Sequence, residues 1–170
     1  MSQVLTMLGF SLDESSFEDT PNRYAKFLLD FVPKLKTPPK FTTFPTDNNE
    51  GLIVVKGLQV RSMCAHHLAP FFGTCTIVYK PNSKMAGLSK FQRVLDYLCQ
   101  QPTEQETLTK IVRDYLVTAL DTENIFVEID CVHTCMVVRG VQNPTSTTKT
   151  ALGIDKFNYQ ELMIALSNTK

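Results

Sequence analysis

The stretch TEQETLTKIVRDYLVTALDTENIFVEIDC, Thr103–Cys131, decides the fold class. Leu108, Ile111, Val112, Tyr115 and Leu116 recur at helical intervals and predict one apolar helix face. Thr103 and Glu106 precede it at the spacing of a capping box. Asp121–Asn124 reads as a turn. Beyond it Ile125, Val127, Ile129 and Cys131 alternate, as on a strand with one buried side. The apolar run Met136–Val138 is expected to continue that strand. A helical period that gives way so soon to a two-residue period places helix and sheet in one domain.

Working outward, Ser89 is expected to cap a helix whose Phe91, Val94, Leu95 and Leu98 form a stripe, with Pro102 breaking it. Upstream, Leu52–Val55 opens a β-rich region in which Leu58, Val60 and Ser62 share a face. Thr74–Lys80 is a further strand, closed by a Pro81-Asn82-Ser83 turn. The segment from Pro33 to Gly51 is polar and proline-rich, a long surface connection. Before it, Thr20-Pro21 starts a helix carrying Tyr24, Phe27, Leu28 and Phe31, which Pro33 ends. Ser2 is read as the cap of a short helix with Val4, Leu5 and Leu8, and Asn158–Ser167 as a terminal helix. The order predicts an α+β fold, a largely antiparallel sheet with paired helices on one face.

The chain is 170 residues long and 43% apolar, the length of one domain with a core. It is read as a single domain over 1–170: an N-terminal helical segment and linker (1–50), a catalytic core (51–153) and a C-terminal helix (154–170). Seventeen basic residues balance seventeen acidic ones, so no nucleic-acid or membrane-surface partner is expected. No apolar stretch approaches the roughly 20 residues of a membrane span. Met1–Phe10 has neither the basic start nor the cleavage site of a signal peptide. A cytoplasmic location is therefore expected, where five cysteines serve as packing, metal ligands or nucleophiles rather than disulfides.

All three histidines lie near cysteines, in Cys64-Ala65-His66-His67 and His133-Thr134-Cys135. Thiolate and imidazole both suit zinc, and Cys-x-x-His has the reach of a ligand pair. On an extended strand Cys131, His133 and Cys135 would face one way, so the later segment can supply a third ligand. Spacing leaves open whether the site is catalytic or structural. It also leaves open which of His66, His133 and Cys131 stays off the metal.

Ser89, Lys90 and Arg93 open a helix, where free N–H groups and the helix dipole favour an anion. A solvated helix start accounts for them equally well. Arg139 follows Cys135 closely, and Arg23 and Lys26 share a helix face. Glu106, beside Gln105, is explained by the capping box. A carboxylate there can also accept two hydrogen bonds from the N1 and exocyclic amine of a guanine.

Together these residues resemble the GTP cyclohydrolase I family. The likeness runs from Asp19-Thr20-Pro21-x-Arg23 to about Gly153. It includes Ser62-Met63-Cys64-x-His66-His67, Phe71-x-Gly73, Tyr79-x-Pro81, Gly87-Leu88-Ser89-Lys90, Gln105-Glu106-x-Leu108-Thr109 and His133-x-Cys135-Met136-x-x-Arg139-Gly140. The resemblance implies Zn2+ on Cys64, His67 and Cys135, with His66 and His133 assisting proton transfers. It implies that Gln105 and Glu106 recognise guanine. Ser89, Lys90, Arg93 and Arg139 would contact the triphosphate, with Arg23 and Lys26 from a neighbouring subunit. The implied reaction converts GTP to 7,8-dihydroneopterin triphosphate and formate, by hydroxide attack at C8 of the purine. The implied architecture is the tunnelling fold, assembled as a toroidal homodecamer with sites at subunit contacts.

Two departures stand out. Ala65 occupies the place of a glutamate usual in the family, which removes a hydrogen-bonding group next to the site. The chain also begins only about one helix before Thr20, so the family's N-terminal extension is read as missing. Two other functions remain. A nitrile reductase of 7-deazaguanine metabolism would share the fold but use a nucleophilic cysteine without zinc. A catalytically impaired homologue would bind zinc and nucleotide only.

Overall fold

A computed structural model describes residues 1–32, 37–47 and 51–167. The backbone forms two compact units, Met1–Lys34 and Leu35–Lys170. The first holds α1 (Ser2–Met7) and α2 (Thr20–Phe31). Met1, not Ser2, is the N-cap of α1. Its other end is a Schellman turn, in which Gly9 adopts φ +84° and Phe10 N–H donates to the Leu5 carbonyl at 3.0 Å. In α2, Asp19 takes the cap position and Thr20 is already helical, with Pro21 in the first turn. The expected stop at Pro33 lies outside the described residues. Tyr24, Phe27 and Phe31 stack along one side of α2 at centroid distances of 5.8 and 5.7 Å, yet no residue of this helix is buried.

In the second unit β2 (Ile53–Met63), β3 (Pro70–Tyr79), β5 (Ile125–His133) and β6 (Thr148–Leu152) form an antiparallel sheet in the order β2-β3-β5-β6. β1 (Thr43–Pro45) pairs with β4 (Lys84–Ala86) as a separate ribbon. The proline-rich connection therefore contains a strand, which sequence reading missed along with β4 and β6. Short edge pieces bury little and carry little pattern.

α3 (Ser89–Leu98) and α4 (Gln105–Leu120) pack on one face of this sheet. Phe91, Leu95, Leu108, Val112, Leu116 and Leu120 meet Leu58, Val60, Phe71, Cys75, Ile77, Ile125, Val127 and Ile129 there. On β3 and β5 the faces alternate: Phe126 and Val78, one residue out of phase, turn to the other face and meet Leu162 of α6 (Tyr159–Ser167). Asn158 Oδ1 caps α6, accepting from Gln160 N–H at 2.9 Å. Gly73 sits where β3 is pinched against β5, and a methyl there would run into the Asp130 carbonyl oxygen. Only glycine fits.

Several boundaries differ from expectation. α3 starts with Leu88 as its cap, so Ser89 is already helical. α4 starts at Gln105 with Glu104 as its cap and no side-chain capping bond, so the Thr103–Glu106 box does not form. Thr103 is engaged elsewhere, in a parallel bridge to Cys64. Met136–Val138 does not extend β5. The chain turns instead into a short helix, α5 (Thr134–Val137), as Thr134 Oγ1 donates to the Pro70 carbonyl at 2.6 Å and stops the ladder at Phe71–His133.

Cys75, Cys99 and Cys131 are buried in the core. Burial holds the Cys75 thiol well above its ordinary range and pushes Cys99 and Cys131 up to about 12. Folding therefore favours the protonated thiols. In the unfolded chain thiols ionise near pH ~8.5, so this stabilisation is complete below that pH and declines as pH rises toward about 12. The slope is up to about 1.4 kcal/mol per pH unit for each thiol. Urea denaturation at pH 8 and pH 10 is expected to show a lower midpoint at the higher pH. An unchanged midpoint would contradict this account.

Candidate metal centre

β2 ends at Met63, β3 begins at Pro70 and β5 ends at His133, and the pairings Met63–Pro70 and Phe71–His133 bring these ends together. Between β2 and β3 the chain makes a tight reversal. Cys64 N–H donates to the Ala69 carbonyl at 2.9 Å, Leu68 N–H to the Cys64 carbonyl at 2.9 Å, and Leu68 is held at φ +48°. The reversal carries His66 and His67 outward while Cys64 stays buried. α5 then lifts Cys135 off the sheet toward them.

The potential ligand atoms of Cys64, His67 and Cys135 lie within 4.8 Å of one another. Cys64 Sγ is 3.8 Å from His67 Nδ1. Tetrahedral zinc, with bonds of about 2.3 Å to sulfur and ~2.0 Å to nitrogen, separates its ligand atoms by about 3.6–3.8 Å. The donor set fits zinc, and three protein donors leave a fourth position open. Burial raises the Cys135 thiol above its ordinary value, the neighbouring Cys64 raises it further, and Arg139 opposes both. Two thiols crowded in this way favour a divalent cation, which binds the thiolates. Cys131 is not part of this group. It shares a sheet face with His133 but lies in the core beneath the helices.

His133 is held by two neighbours. Its ring stacks on Phe71 with centroids 4.7 Å apart and planes 12° apart. Its Nε2 lies 2.8 Å from Gln105 Oε1. The Gln105 amide nitrogen donates to the Ile129 and Thr148 carbonyls at 3.0 and 2.8 Å, with Thr150 Oγ1 at 3.1 Å. Those carbonyls only accept, so Gln105 Oε1 must face the imidazole and His133 must carry its proton on Nε2. The neutral ring then has Nδ1 as its basic nitrogen. Burial lowers the pKa of His133, and the Glu106 carboxylate opposes that shift.

Gln105, expected to face the guanine, is thus buried with its side-chain amide turned inward. Glu106 is exposed beside it. His66 Nδ1 lies 3.8 Å from Cys64 Sγ, and its Nε2 lies 3.5 Å from Glu104 Oε1. Glu104, Thr103 and Phe71 were not read as site residues. For Glu104 and Thr103 no local signal existed, because their contacts depend on where α4 meets β2. Phe71 stood in a quoted motif without a role.

Ser89, Lys90 and Arg93 are elsewhere. Near the start of α3, Gln92 Nε2 donates to the Gln59 carbonyl, while at its end the Cys99 carbonyl accepts from Ser62 Oγ, two residues from Cys64. The helix therefore runs along β2 toward the cysteine, with Ser89 and Lys90 at its far end, about 15 Å of helix away, and Arg93 midway along it. Arg139, exposed just beyond α5, is near Cys135. Arg23 and Lys26 are exposed on α2 in the first unit, where Arg23 pairs with Asp19 at 3.5 Å.

The family model described as GTP cyclohydrolase I matches residues 1–165. A relative named GTP cyclohydrolase 1, from Streptococcus agalactiae serotype Ia, is 38% identical over 95% of this chain and 90% of its own length. Relatives of the same name are 35% identical in Streptococcus suis (95% and 88% covered) and 39% identical in Shewanella sp. strain W3-18-1 (90% and 74% covered). A crystal structure of an archaeosine synthase described as QueF-like, in the apo form, is 13% identical with a TM-score of 0.45. It covers 59% of this chain and 90% of its own, a likeness too slight to carry an argument.

Proposed function

The chain belongs to the GTP cyclohydrolase I family, and from that premise we propose that it hydrolyses GTP at C8 of the purine, releasing formate and 7,8-dihydroneopterin triphosphate. The observation that carries this reading is the cluster of Cys64, His67 and Cys135 within 4.8 Å, flanked by His66 and His133. Zinc held by those three residues would acidify water enough to supply hydroxide near neutral pH.

The chain's own residues divide the remaining work. His133, its Nε2–H committed to Gln105, offers Nδ1 to receive a proton and return it to a ring nitrogen. His66, held between Cys64 and Glu104, is the second proton carrier. Glu106 presents two carboxylate oxygens to the N1–H and exocyclic amine of guanine. Gln105 serves this pair from below by orienting His133.

The triphosphate would be met by Arg139 of the same chain and by Ser89, Lys90 and Arg93 of another copy. The helix length separating that basic cluster from Cys64 supports this division. Arg23 and Lys26 are assigned to the same task, also from a neighbouring copy. The exposed Leu88, Val138 and Val141 support an assembly of copies. We read that assembly as the toroidal homodecamer of the tunnelling fold, cytoplasmic, and serving pterin or folate synthesis. No helix among the described residues is long and apolar enough to cross a membrane.

Purified, zinc-loaded protein incubated with GTP is expected to release formate and, after oxidation, a fluorescent pterin. Zinc and GTP binding without either product would overturn the hydrolase reading in favour of the impaired homologue that Ala65 raises. Nitrile reduction with NADPH would instead identify a reductase.

A further inference from the structure

The end of β2 and the residues leading into α4 run side by side. Thr103 N–H donates to the Met63 carbonyl at 2.9 Å, and Ala65 N–H to the Thr103 carbonyl at 3.2 Å, a parallel bridge centred on Cys64 and Thr103. Ala65 and Glu104 are the next residues on the two segments, past this isolated bridge, with Ala65 already in the turn. Both follow the bridged pair, so a carboxylate introduced at position 65 starts close to the one at 104. Ala65 has only a methyl there. Glu104 supplies the carboxylate, one oxygen 3.5 Å from His66 Nε2 and the other accepting from Thr107 Oγ1 at 3.2 Å. Cys64 Sγ lies 3.8 Å from the ring's Nδ1, and with that sulfur given to zinc, Nδ1 would be the nitrogen that exchanges protons.

We propose that Glu104 is the positioning residue of His66, holding the imidazole at the angle from which it exchanges protons with the substrate. The proposal rests on the reading above that His66 is a proton carrier. The two side chains are 64% and 50% exposed, and exposed ion pairs add little to stability. The pair therefore acts on orientation rather than on folding.

Zinc-loaded wild type, Glu104→Ala and the Ala65→Glu/Glu104→Ala double variant are compared for zinc per chain, melting temperature, kcat and KM for GTP. Glu104→Ala is expected to keep its zinc and its melting temperature while kcat falls about tenfold to a hundredfold, the range for residues that orient groups around a metal. KM should change by less than about twofold, since the contact orients a catalytic group rather than binding substrate. The double variant should recover most of the lost kcat. An undiminished kcat in Glu104→Ala, zinc lost together with activity, or a loss that Ala65→Glu leaves unrepaired would each overturn the proposal. Nitrogen NMR of the His66 ring reads the contact without turnover. Its signals should move in Glu104→Ala and return in the double variant, and a ring that does not respond overturns the proposal. Absence of formate from wild type would count against the hydrolase reading alone.

Discussion

Cys135→Ala is expected to leave the purified chain without stoichiometric zinc and to reduce formate release by about a thousandfold or more, the order that several kcal/mol of metal-ion catalysis represents. The reason is the donor count. Cys64 and His67 share one tight reversal, and among the described residues only Cys135 joins them from another part of the chain. Without it the two remaining donors leave the ion mostly to solvent, short of the three protein ligands of a catalytic zinc site. Cys135 is only half-buried, so the metal-free fold should change little. Three measurements check this: metal content by mass spectrometry, formate release, and melting with and without chelator. Wild type should melt higher with zinc, because binding to the native state alone stabilises it, while the variant should not respond. A Cys135→Ala chain with a full complement of zinc would show that the ligand set is wrong.

His133→Ala is expected to do the reverse: zinc is retained and kcat falls by about 10²–10⁴-fold, the range for removal of a positioned acid-base group. Gln105→Leu extends the test to the support beneath it. That variant frees the imidazole from its only recorded hydrogen bond among the described residues. It also leaves the Ile129 and Thr148 carbonyls without the amide that joins them. Each hydrogen bond lost costs about 0.5–1.5 kcal/mol, so Gln105→Leu should melt lower as well as turn over more slowly, whereas His133→Ala should lose turnover chiefly. Turnover and zinc content measured on both variants separate these roles. Loss of zinc from His133→Ala would place that residue among the ligands, and full turnover in Gln105→Leu would remove it from the mechanism.

Much of the fold could be read locally. α4 and β5 followed from the period of Thr103–Cys131, and α3 from the stripe of Phe91, Val94, Leu95 and Leu98, since each buries one regular face. β1, β4 and β6 were missed because short edge strands have no such pattern. The strand predicted over Met136–Val138 failed for a different reason. An apolar run suits strand and short helix alike, and a contact of Thr134 with Pro70, distant in sequence, made the choice.

The site divides in the same way. Residue types and their order were enough to nominate Cys64, His67 and Cys135 and to suggest the family, because metal ligation depends on which donors a chain carries. The partners of those residues could not be read that way. Gln105 turned inward because the β5–β6 ladder offered its amide two carbonyls, and His66 found Glu104 because the bridge of Cys64 to Thr103 brings the approach to α4 beside the end of β2. The distance between Ser89-Lys90 and Cys64 likewise depends on the direction in which α3 lies along β2. By itself the sequence determined which chemical groups are present and which local periods the backbone adopts. Only the tertiary structure decided which of those groups meet, because hydrogen-bond partners distant in sequence are chosen by strand register and helix placement.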